Sequence, residues 1–336
     1  KLLSQSRVNT INKNRTNIND INESYFKQNL IENGKFNFSK AQKLFNIPSS
    51  SLNQLKQKFN INEPNILNTV CIEDKINEIF NDTFVLRNRT IIPPLELDLY
   101  SKEYNMAIEY NGLMWHSYGI SKHKMFSSLD KEDKNKHLNK TLLCEEKGIQ
   151  LFHIFENEWL DKRKKDIWIS ILKGKQGIST YIKLNKCYIG YPNKEETKLF
   201  LNENHLEGSC NSNISIGLYY DNELVSIMTF SGSLDYKLNR VCTKKEYSII
   251  GSTLMLLNTF ETKYKPKSLV TTLDRRFSNN DLYTSIGFSF IEDTKPNHFY
   301  FKPGENILEN FDTDMFNEGY RRIWDCGNKV YKKEYK

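Results

Sequence analysis

The chain has 336 residues, 38% hydrophobic and 12% aromatic, enough for two or three packed domains. Its 48 Lys and Arg outnumber 41 Asp and Glu, and the net charge of +7 favours a polyanionic partner. Six cysteines without a CxxC spacing exclude a zinc ribbon, and the lack of an apolar run of about 18 residues excludes a membrane-spanning helix. The chain opens on Lys1 instead of methionine, as an excised piece of a longer protein would.

Residues 1–22 are rich in Asn, Lys and Ser and read as a flexible lead. Residues 23–66 read as helical. Ala41, Leu44 and Phe45 fall at helical spacing, Pro48 breaks the run, and Leu52, Leu55 and Phe59 make a second apolar stripe. This is a helix-turn-helix pattern, in which Asn53, Gln54 and Lys56 would face DNA. An ordinary helical hairpin fits the same residues.

Residues 67–175 read as a second unit. Ile72, Ile76, Ile79 and Phe80 form one helical face, with Glu73 in the first turn. A strand is expected over 84–92. Leu95, Leu97 and Leu99 then alternate with Glu96, Asp98 and Tyr100, as in a half-buried strand. Met106, Ala107, Ile108 and Tyr110 make a second strand carrying Glu109, and His116 follows closely. Carboxylates on paired strands suit a divalent cation, and a nearby histidine suits a general base for phosphodiester hydrolysis. A merely solvated acidic hairpin fits the same pattern.

The stretch LELDLYSKEYNMAIEYNGLMWH resembles the catalytic hairpin of the very-short-patch-repair (Vsr) endonucleases and their phage homing-endonuclease relatives, a branch of the PD-(D/E)XK superfamily. The resemblance implies a restriction-endonuclease fold, Mg²⁺ as cofactor and double-stranded DNA as partner. It makes Asp98 a metal ligand, His116 the catalytic histidine, Tyr110 a ligand through its backbone carbonyl, and Glu73, Glu109 and Glu96 further acidic candidates. HLNKTLLCEEKGIQLFHIFENEW resembles the later half of the same core, which puts His137 and Lys140 beside the scissile phosphate. Lys122 and Lys124 lie in a basic loop expected to grip the backbone. His153, inside an apolar strand, reads as a core histidine.

Residues 178–336 read as a third unit, after the linker Gly174–Gly177. Strands are expected over 181–188, 214–220, 224–231, 269–272, 288–293 and 298–301, with helices over 194–204, 249–263 and 282–286. A terminal hairpin turning at Gly327 and Asn328 is expected to close the chain. LYYDNELVSIMTF, IIGSTLMLL and LYTSIGFSFIEDTKPNHFYF resemble the Gcn5-related N-acetyltransferase (GNAT) fold. In that fold a glycine-rich turn at a helix N-terminus holds the pyrophosphate of coenzyme A. Here only Gly251 of that motif is present, so coenzyme A is not expected.

The sequence therefore reads as an α/β (α+β) protein with three parts: a helix-turn-helix, a Vsr-like nuclease core and a GNAT-like domain. The expected activity is Mg²⁺-dependent, site-directed cleavage of double-stranded DNA. With no signal peptide visible, the expected setting is the cytoplasm of a bacterial or phage-infected cell. The alternatives are a GNAT-type acyltransferase acting on nucleic acid, and an inactive DNA-binding or phage structural protein.

Overall fold

A computed structural model describes residues 31–32, 35–36, 54–55, 58–59, 71–118, 133–278, 280–302, 305 and 307–335. The chain forms two compact units, Lys1–Cys71 and Ile72–Lys336. In the first, Ile31–Glu32 pairs antiparallel with Lys35–Phe36. Gln54 and Leu55 are helical, Gln54 exposed and Leu55 fully buried. Lys58 and Phe59 are described too, Phe59 buried, whereas Asn53, Lys56 and the other residues of the expected helix-turn-helix lie outside the described residues, as do Lys122 and Lys124.

The second unit begins with α1 (Ile72–Ile79). A four-stranded sheet follows, with β1 (Val85–Asn88), β2 (Leu97–Ser101), β3 (Met106–Asn111) and β4 (Gln150–Phe155) in sequence order. β3 and β4 are parallel and the other pairs antiparallel. A parallel pair needs a crossover; the chain between them includes α2 (Leu113–His116) and α3 (Lys136–Glu145). Alternation splits β3 between two cores. Met106 and Ile108 pack with Ile76, Trp168 and Leu172, while Ala107 packs with Cys144 of α3. After β4 come α4 (Glu156–Leu160) and α5 (Lys162–Lys175). Asp161 separates them and caps α5 by accepting the Lys164 N–H at 2.8 Å.

The remaining strands are β5 (Thr180–Tyr181), β6 (Tyr188–Gly190), β7 (Ile214–Tyr220), β8 (Glu223–Gly232), β9 (Asp235–Thr243), β10 (Tyr247–Ser248), β11 (Ser268–Asp274), β12 (Ser289–Asp293), β13 (His298–Phe301), β14 (Arg321–Trp324) and β15 (Asn328–Glu334). The helices among them are α6 (Lys194–Asn204), α7 (Ser252–Tyr264) and α8 (Asn280–Ser285). Seven strands form one sheet in the order β6-β7-β8-β9-β11-β15-β12. Only β9 and β11 run parallel in it. α7 packs Leu256, Leu257 and Phe260 on one face, against Leu218, Met228 and Phe230. α6 packs Phe200 and Leu201 on the other, against Leu224 and Ile227.

The expected terminal hairpin does not form. β14 pairs with β13, whereas β15 lies between β11 and β12. Asp325 makes this exit, accepting the N–H groups of Asn297 and Gly327, each at 2.7 Å.

Within this unit the two sheets are stitched together. The His153 N–H donates to the Arg276 carbonyl at 3.1 Å. Buried Arg276 reaches Glu158 at 3.0 Å and Asp274 at 2.8 Å. Arg275 pairs with Glu145 at 2.7 Å. These arginines therefore serve ion pairs that join the two sheets.

Candidate functional site

Two polar centres stand out. The first lies on β2, β3 and α3. Asp98 Oδ2 accepts the Tyr110 N–H at 2.8 Å. Glu109, buried, has both oxygens occupied: Oε1 accepts the Asp98 N–H at 3.2 Å and Oε2 accepts from Lys140 Nζ at 2.5 Å. Burial and the charge of Asp98 push the Glu109 carboxyl up to about 7, against the pull of Lys140. Burial also raises Asp98, with the charges of Glu73 and Glu96 adding to it. Glu96 is itself tied to Arg89 at 2.6 Å.

Beside this pair, His116 and His137 stack with ring centroids 5.4 Å apart, and His116 Nδ1 lies 3.2 Å from His137 Nε2. His137 Nδ1 is 2.6 Å from the Trp324 carbonyl. Burial lowers both imidazoles, His137 to about 4. His153 is fully buried, between Asn111 and Thr141. Glu156 holds the start of α2 through the Leu113 N–H at 2.8 Å. The structure thus gathers Asp98, Glu109 and Lys140 into one cluster, and His116 and His137 into another.

The second centre lies where β9 and β11 part. They pair from Asp235 with Ser268 to Leu238 with Thr271. Beyond Leu238 no ladder joins them. At the same level β9 carries a bulge: Thr229 faces Arg240 and Phe230 faces Leu238, which leaves Asn239 without a ladder partner. The opening is a cavity of ≈ 260 Å³ whose lining includes Asn239, Arg240, Thr272, Asp274 and Tyr283. Burial holds the Tyr283 phenol above its ordinary value. Arg240 pairs with Glu207 at 2.9 Å.

The helix following β10, α7, starts near this opening in sequence. Gly251 caps it at φ 85°, a left-handed conformation that favours glycine, with no side-chain cap. The first helical bond runs from the Met255 N–H to the Gly251 carbonyl at 3.0 Å. The N–H groups of Thr253 and Leu254 precede it and have no intrahelical partner. An uncapped helix start can seat an anionic group, and an unpaired length of β9 can accept an extended chain as an added strand.

No protein-family model and no curated protein sequence matches the chain. Solved structures do match, several acetyltransferases among them. PaiA N-acetyltransferase of Thermoplasma acidophilum, in complex with coenzyme A, is 18% identical over 36% of this chain and 60% of its own, at a TM-score of 0.24. A GNAT family acetyltransferase of Elizabethkingia anophelis with acetyl-CoA bound is 13% identical over 45% and 99%, at 0.30. The ribosomal-protein-S18-alanine N-acetyltransferase of Escherichia coli is 11% identical over 44% and 93%, also at 0.30. The chain is thus a mixed α/β protein with acetyltransferases among its structural neighbours.

These findings correct the nuclease reading. The three neighbours named are acetyltransferases, and two of them hold coenzyme A or acetyl-CoA. Among the described residues no group of three or more His, Cys, Asp and Glu is placed to hold a metal ion. Glu109 has both oxygens engaged, by the Asp98 N–H and by Lys140, while one oxygen of Asp98 accepts a backbone N–H and one of Glu96 is tied to Arg89. The expectations of a Vsr-type endonuclease, of Mg²⁺, of double-stranded DNA as partner and of no coenzyme A are therefore withdrawn. No helix among the described residues is long and apolar enough to cross a membrane.

Tyr283, Asn239 and Arg240, which line the cavity where β9 and β11 part, were not singled out by the sequence reading. The signal available for Tyr283 was its place on a short helix closed by Gly287.

Proposed function

We propose that this protein is a GNAT-type acyltransferase that moves an acyl group from a coenzyme A thioester to an amine. The observation that carries the reading is the parting of β9 and β11 beyond Leu238 and Thr271, inside a sheet whose other pairs are antiparallel. The parting leaves an unpaired strand edge facing a cavity that Tyr283 lines.

Coenzyme A, when bound, would supply the acyl group as a thioester. The rest falls to residues of this chain. Backbone groups of β9 beyond Leu238 would orient the donor arm and its carbonyl as an added strand would. The α7 N-terminus would hold phosphate through the Thr253 and Leu254 N–H groups. Tyr283 keeps its proton at neutral pH and would deliver it to the sulfur as the C–S bond breaks and the amine nitrogen bonds the acyl carbon, and the proton that the amine nitrogen then sheds restores the phenol.

The test is calorimetric titration of the full chain with coenzyme A, followed by thiol release from acetyl-CoA in the presence of primary amines. Binding and amine-dependent thiol release are expected. No binding would remove the reading.

A further inference from the structure

The loop leading into α7 spends its backbone donors inside the protein. The Lys245 N–H goes to Asn204 Oδ1 at 3.0 Å, and the Glu246 N–H to Ser170 Oγ of α5 at 2.9 Å. The Tyr247 N–H goes to the Lys244 carbonyl at 3.2 Å, and the Ser252 N–H to the Ile249 carbonyl at 3.1 Å. The lysine side chains are engaged too, Lys244 by Glu223 and Lys245 by Glu203.

A short segment lies along this loop. β5 pairs parallel with β10, the Thr180 N–H donating to the Glu246 carbonyl at 2.7 Å and the Ile182 N–H to the Ser248 carbonyl at 3.0 Å. The segment is lightly held between its ends. Thr180 and Tyr181 are exposed, while Ile182 is buried and the Ile178 N–H is bonded to the end of α5. Beside it opens a cavity of ≈ 770 Å³ whose lining includes Ser170, Ser179, Thr180 and Glu246, which gives the segment room to move.

We propose that residues 177–181 are an intramolecular strap. It keeps residues 244–248 closed against the phosphate end of an acyl donor, and donor binding releases it. The proposal rests on the acyl-donor reading above. It gives α5, which belongs to the core of the four-stranded sheet, control over the donor site of the seven-stranded one. Freed from the strap and from Ser170, the loop can turn its N–H groups toward phosphate, as successive backbone donors do in anion-binding nests.

The test compares coenzyme A binding by calorimetry for the full chain, for Thr180→Pro and for Ser170→Ala. The first variant removes the N–H that holds Glu246, and the second frees the Glu246 N–H. Each should bind about tenfold tighter, the ratio equivalent to the net worth of one backbone hydrogen bond. In the wild-type chain, amide exchange at Thr180 and Ile182 should quicken when coenzyme A is added. This second measurement does not depend on either variant folding. Measurable wild-type binding with unchanged affinity in folded Ser170→Ala and unchanged exchange would overturn the strap and leave the acyl-donor reading standing. No heat from any of the three proteins would overturn that reading, and the strap with it.

Discussion

The imidazole of His137 donates its Nδ1–H to the main-chain carbonyl of Trp324 at 2.6 Å, joining α3 to the end of β14 across 187 residues of sequence. Donating there leaves His137 Nε2 as an acceptor, and it faces His116 Nδ1 at 3.2 Å. His116 then carries its proton on Nδ1 and a lone pair on Nε2. Replacing His137 by Phe removes both contacts and leaves the buried carbonyl unpaired. A loss of about 1–3 kcal/mol is expected, read as a lower urea midpoint at constant slope. Nitrogen chemical shifts of His116 should report the Nδ1–H tautomer in the wild type and a mixture in the variant.

Acid and base should act on this centre with opposite signs. Folding lowers His137 from 6.5 to about 4, so the unfolded chain binds more protons between those values. Its contribution is fully present above pH 6.5 and is lost as pH falls toward 4, by about 3 kcal/mol at the limit. His153 moves in the same direction. Glu109 is raised from 4.5 to about 7, so the native chain binds the extra proton there. Its contribution is present below 4.5 and is lost as pH rises through 7. Urea midpoints plotted against pH should pass through a maximum between the two limbs. Because the two windows overlap between pH 4.5 and 6.5, Glu109→Gln should steepen the acid limb there and remove the fall in midpoint toward pH 7.

Arg276 is the cation on which two buried carboxylates depend. Glu158 and Asp274, with side chains 7% and 10% exposed, both pair with it. Arg276→Met would strand them without a counter-charge, at about 3–5 kcal/mol. The double variant Arg276→Met, Glu158→Gln should recover part of that loss in a denaturation cycle. Full additivity of the two changes would show that the pair is not coupled.

The elements that were readable in the sequence are those with clean local periodicity. The hairpin was expected over Leu95–Tyr100 and Met106–Tyr110 and forms as Leu97–Ser101 and Met106–Asn111. The strand over Ile214–Tyr220 forms as expected. β9, the strand that makes the cavity, was not foreseen. Tyr236 and Leu238 begin an inward alternation, but the bulge at Asn239 shifts its phase before buried Cys242. β15 was assigned a neighbour close in sequence, whereas it pairs with β11, more than fifty residues earlier. At the first centre, composition showed acids and a histidine. It could not show that Glu109 would meet Lys140, 31 residues away, and so be neutralised. Partner choice over such separations is set by packing that no local pattern records.

The sharpest test of the cavity is its phenol. Tyr283 is 8% exposed and packs edge-on to Phe288, so Tyr283→Phe keeps the shape and removes only the hydroxyl. If that hydroxyl delivers the proton to the departing sulfur, acyl transfer should fall by about 10²-fold or more. Coenzyme A affinity should stay within about twofold, because the loss belongs to the transition state and not to binding. The variant should also lose any alkaline limb of the rate that follows ionisation of the phenol. A drop in affinity with an unchanged turnover would assign Tyr283 to donor binding. An unchanged rate and affinity would place proton delivery on another group lining the cavity.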